Sequence, residues 1–79
     1  MSIHIKLSTT LRQSVPGYNP VAGITLPLEE PATATQVALR LGLPLQDIKL
    51  VMINGRQASL DATIRPNDQI AFFPPVGGG

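Results

Sequence analysis

The sequence contains no cysteine, which excludes a disulfide, a thiolate metal site and a thiol nucleophile. Aromatic side chains are nearly absent too: Tyr18, Phe72 and Phe73 are all there are. The basic residues Lys6, Arg12, Arg40, Lys49, Arg56 and Arg65 are scattered, and the net charge is only +1. Nucleic-acid binding therefore has neither a basic footprint nor a stacking platform. Charged residues make up 14% of the chain, against about 25% in an average globular domain. With 43% apolar residues on 79 positions, some apolar area faces outward, as partner surfaces do. No run is long enough to span a membrane. The start, Met1-Ser2-Ile3-His4, lacks the basic and apolar regions of a secretion signal. The expectation is a single small cytoplasmic domain without membrane or nucleic-acid partners.

Catalytic machinery is equally hard to assemble. The one histidine, His4, alternates with Ile3 and Ile5 and points away from the side they define. A solvated strand position is its simplest reading. Glu29 and Glu30 adjoin Pro31 in a loop, and nothing there pushes their environments apart as acid–base chemistry needs. Asp61 and Asp68 read as turn acids that bond nearby backbone N–H groups. No nucleophile-elbow spacing supports a Ser-His-Asp site. The glycines at 77–79 precede no helix, so they form no phosphate loop. No metal site and no bound cofactor is expected.

What the chain does carry is a clear order of elements. Ile3, Ile5 and Leu7 alternate with His4 and Lys6, a half-buried strand. Residues 8–22 are rich in Ser, Thr, Pro, Gly and Asn and form a long connection, within which Leu11 and Val15 form a short turn that drops apolar groups onto the core. Gly23 to Leu28 alternates again, and Pro27 confines that strand to an edge. Thr33 and Gln36 have capping-box spacing, Val37 and Leu41 with Ala34 and Ala38 give a helical stripe over 34–41, and Gly42 suits a left-handed cap. Leu45 to Ile48 fits a single turn. Lys49 to Ile53 is a strand, Asn54-Gly55 is a two-residue hairpin, and the return strand at Arg56 to Ala58 is short. Leu60 and Ile64 read as buried. Arg65-Pro66-Asn67-Asp68 fits a type I turn, and Gln69 to Phe73 is the last strand, stopped by Pro74-Pro75. This order predicts an α+β fold of the β-grasp, or ubiquitin-like, kind: a mixed sheet of four to five strands with one helix on one face. Residues 1–74 form the domain and 75–79 a flexible glycine tail. Phe72 and Phe73 point to opposite faces; one is core, and the other is either covered by the long connection or exposed to a partner.

The chain closes on Pro74-Pro75-Val76-Gly77-Gly78-Gly79. Glycines lack Cβ atoms and fit a narrow channel that other residues would block, so the expectation is a tail offered to another protein's active site. With the Asn54-Gly55 turn, the turn before the last strand and Leu11-Arg12 after the first, this ending resembles the ThiS/MoaD family of ubiquitin-like sulfur carriers. The resemblance spans nearly the whole chain. It implies that a ubiquitin-activating-type adenylyltransferase uses ATP to adenylate Gly79, and that a sulfurtransferase system converts it to a thiocarboxylate that donates sulfur. The carrier would be a co-substrate or a small synthase subunit, with no catalytic site of its own. It further implies that Gly77 and Gly78 thread into the partner and that Phe72, Phe73, Pro75 and Val76 lie near the partner surface.

Phe72-Phe73-Pro74-Pro75-Val76 is most similar to the molybdopterin-synthase small subunit, whose partner is the large subunit. Gly77 departs from it, because Ser, Thr or Ala is more usual there, and three glycines also occur in thiamin-type carriers that serve thiazole synthase. A ubiquitin-like modifier, conjugated to lysines through the same tail, is the alternative from another class.

Overall fold

A computed structural model describes residues 1–75 of the chain. Strand β1 (Ser2–Leu7) is followed by β2 (Ile24–Pro27), β3 (Ala32–Thr33), helix α1 (Ala34–Leu41), β4 (Leu50–Ile53), β5 (Arg56–Ala58), β6 (Thr63–Ile64) and β7 (Gln69–Phe73). Five strands form one sheet in the order β2-β1-β7-β4-β5, and β3 pairs with β6 in a second, two-stranded piece. The central pair, β1 and β7, is parallel, with Ile5 opposite Ile70 and Leu7 opposite Phe72. The remaining pairs are antiparallel. This is the β-grasp arrangement, α+β with one helix across one face of a mixed five-stranded sheet. The proline-bearing β2 is an edge strand, where a missing N–H is harmless.

Helix α1 has eight residues, too few to hold in isolation. Its ends are fixed locally. Thr33 Oγ1 accepts from Gln36 N at 3.1 Å, and Gln36 Oε1 accepts from Thr33 N at 2.9 Å, completing the capping box. Gly42 takes φ +77° at the other end, and Leu43 N donates back to the Ala38 carbonyl at 3.0 Å. Its body is held by packing. Ala34, Val37 and Ala38 are fully buried against Ile3, Ile5, Leu28, Ile64, Ile70 and Phe72. Two alanines at this contact let the helix lie close to the sheet. Among the described residues the buried set is wholly apolar.

The hairpin at Asn54-Gly55 has φ of +52° and +80°, the mirror-image turn that matches strand twist. Asn54 does more than turn the chain. Its Nδ2 donates to Asp68 Oδ1 at 2.9 Å, its Oδ1 accepts from Gln69 N at 2.9 Å, and Asp68 Oδ2 accepts from Arg65 N at 2.8 Å. The two turns at that end of the sheet are thereby tied together.

One expectation changes, and one pairing is new. The turn at 65–68 is not type I: Asn67, its third residue, has φ +76°, which is the type II geometry. The pair β3–β6 was not foreseen, because two-residue strands carry no alternation. The short turn expected within the long connection is present. Thr9–Ser14 forms a 3-10 turn that buries Leu11, and the Tyr18 hydroxyl accepts from Leu7 N at 2.8 Å and donates to Leu7 O at 3.3 Å. That 3-10 turn begins on Thr9 at φ +45°. A β-branched residue there is strained by about 1–2 kcal/mol.

Candidate partner surface and tail root

Strand alternation divides the sheet into two faces. The helix covers Ile3, Ile5, Leu7, Val51, Ile70 and Phe72. Across the open face, the register places Leu50 opposite Phe73 and Met52 opposite Ala71. Lys6 lies beside Ala71 on the other flank of β7, and His4 beside Gln69. Leu50, Met52, Ala71 and Phe73 are all half-buried, and by this register they form an apolar strip on the face opposite buried Val51, Ile70 and Phe72. A shallow groove of about 670 Å³ runs along it, reaching His4, Lys6 and Arg12 at one side.

His4 and Lys6 are held by the long connection, and Arg12 is the connection's own side chain anchored back on β1. Lys6 Nζ donates to the Val21 carbonyl at 3.1 Å, and His4 Nε2 contacts the Ala22 carbonyl at 2.5 Å. Arg12 Nε donates to Leu7 O at 3.0 Å, with its guanidinium 5.9 Å from the Tyr18 ring centre. His4 is thus a strand residue that anchors a loop. Gly23 has to be glycine for the same reason: at φ +73°, a Cβ there would sit 2.7 Å from Ile5 O and 3.0 Å from His4 Nε2.

Phe73 ends this strip, and the chain leaves the sheet just beyond it. Ser8 N donates to Phe72 O at 3.1 Å, and Lys49 N donates to Phe73 O at 2.8 Å. Pro74 is half-buried and Pro75 exposed. They line a second cleft of about 600 Å³ together with Ser8, Thr9, Lys49 and Gln57.

Of the expected site residues, Phe73 and Pro75 are brought together at this corner. Phe72 is a correction. Its side chain is completely buried between the sheet and the helix, so it belongs to the core and not to a partner surface. Val76, Gly77, Gly78 and Gly79 lie outside the described residues. Leu50, Met52 and Ala71 were missed as surface residues. Alternation against buried Val51 and Ile70 was the signal that could have found them. Among the described residues, no group of three or more His, Asp or Glu side chains is placed to hold a metal ion. No described helix is long and apolar enough to cross a membrane.

A model of the family described as "ThiS family" matches residues 9–79, so the match runs through the glycine tail. The chain is similar to the crystal structure of SAMP1 from Haloferax volcanii, with 24% identity over 100% of both chains and a TM-score of 0.69. That likeness carries the fold. No curated protein matches the sequence.

Proposed function

The chain belongs to the ThiS family, and on that premise we propose that it is a sulfur carrier whose terminal Gly79 is adenylated and converted to a thiocarboxylate. The observation that carries this reading is the family match, which runs through Gly79. A carboxylate is a poor electrophile. It becomes reactive when a separate enzyme joins it to AMP from ATP, releasing pyrophosphate. Sulfide supplied by a sulfurtransferase system then displaces AMP: a C–S bond forms as the C–O bond to phosphate breaks. The apolar strip ending at Phe73 is the surface by which the activating enzyme and the sulfur acceptor hold the domain while the tail is used.

The finer reading is a molybdopterin-type role, with a synthase large subunit as acceptor. Pro74 and Pro75 fix φ near the departure point, and a stiff base behind a short glycine tip loses less entropy on entering a preformed pocket. Gly77 favours a second reading, a thiamin-type carrier serving thiazole synthase. The test is intact mass after incubation with ATP, a ThiS-type activating enzyme and a sulfur donor. The expected result is the mass gain of one oxygen replaced by sulfur, lost again on adding the large subunit with its molybdopterin precursor. Sulfur gain that is discharged only by thiazole synthase selects the second reading. No mass change on the terminal glycine overturns the carrier.

A further inference from the structure

Among the described non-glycine residues with positive φ, Thr9 is the only one poorly suited to it. The others, Asn54 and Asn67, are of the residue type that tolerates that region best after glycine. Burial of Leu11 explains the path of the turn but not a threonine in it, since glycine would follow the same path unstrained. The position of the turn supplies a reason. Ser8 N bonds the Phe72 carbonyl and Lys49 N bonds the Phe73 carbonyl. The last two carbonyls before Pro74 are therefore gripped from opposite sides. Ser8-Thr9 forms one wall, and Lys49 the other, of the cleft through which Pro74 and Pro75 leave the sheet.

We infer that Thr9 is a positioning residue for the tail: its stiff, β-branched side chain in this strained turn fixes the direction in which the chain departs at Pro74-Pro75. The geometry stands by itself, while its consequence for activation rests on the sulfur-carrier reading.

The absence of cysteine allows paired spin labels to be placed at Val76→Cys and Gln46→Cys and their distance distribution measured by double electron–electron resonance. Thr9→Gly is expected to unfold at the same or a higher temperature and to broaden that distribution. The KM of the activating enzyme for the unlabelled Thr9→Gly carrier, read by ATP–pyrophosphate exchange, is expected to rise about fivefold with kcat unchanged, as for a lost positioning contact. Thr9→Val keeps the branched shape and is expected to match the parent in both readouts. An unchanged distribution in Thr9→Gly, equal broadening in Thr9→Val, or a lower unfolding temperature for Thr9→Gly overturns the inference. A broadened distribution with unchanged KM supports the positioning role and overturns tail delivery to that enzyme.

Discussion

Phe72 and Phe73 are neighbours in sequence, and their rings lie on opposite sides of the sheet. Phe72 pairs across the sheet with Val51 and Leu7 and is sealed under the helix. Phe72→Ala is expected to destabilise the domain by about 3–5 kcal/mol through the cavity it leaves, read as a lower urea midpoint. Phe73 sits in the apolar strip opposite Leu50. Phe73→Ala is expected to spare the fold and to weaken the complex with the activating enzyme by about 2 kcal/mol, the scale of an interface hot spot. Titration calorimetry measures the second effect. Equal binding by Phe73→Ala and the parent would move the interface elsewhere. Alternation alone showed that the two rings diverge. Which of them is covered depends on where the helix lies, and that is a tertiary fact no local pattern carries.

Elements whose limits rest on local chemistry were the legible ones. The capping box, the αL glycine at Gly42 and the Asn54-Gly55 pair each satisfy a backbone demand within a few residues, so α1 and the β4–β5 hairpin could be read directly. The β3–β6 pair could not. Its register, Ala32 opposite Ile64, is imposed by chain segments distant in sequence. The turn at 65–68 went astray for a related reason. Proline at its second position allows either type, and the contacts of Asp68 with Asn54 and with Arg65 N belong to the φ-positive form. This network yields a prediction for the elements it joins. Asn54→Ala removes two side-chain bonds between the hairpin and the start of β7 and places a Cβ residue without αL tolerance at φ +52°. Destabilisation of about 2–3 kcal/mol is expected from the lost bonds and the strain together. Hydrogen exchange at Gln69 should accelerate far more than at Val37. Uniform acceleration across the domain would mean that the two turns are not a local unit.

At the scale of the whole molecule, the sulfur-carrier proposal gives the domain and its tail separate tasks. The core is closed by residues 3–72. Changes at Gly78 or Gly79 are therefore expected to leave the unfolding temperature where it is. Their effect falls on activation. Deleting Gly79 moves the carboxylate one residue back from the adenylating centre, and exchange of pyrophosphate into ATP should vanish. Gly78→Val keeps the carboxylate in register but adds a branched Cβ to a segment proposed to lie in a narrow channel. Exchange should fall by roughly a hundredfold, the scale attached to small misplacements of a reacting group. Gly77→Ser is expected to be tolerated, because the resemblance to the molybdopterin-synthase small subunit implies Ser, Thr or Ala at that position. The order of severity is the diagnostic. A tail that only tethers the domain would tolerate Gly78→Val as well as Gly77→Ser, whereas a tail threaded to its tip must discriminate more sharply toward Gly79. Wild-type exchange by Gly78→Val, with Gly79 deletion still inactive, would leave the terminal carboxylate essential and rule out the narrow channel.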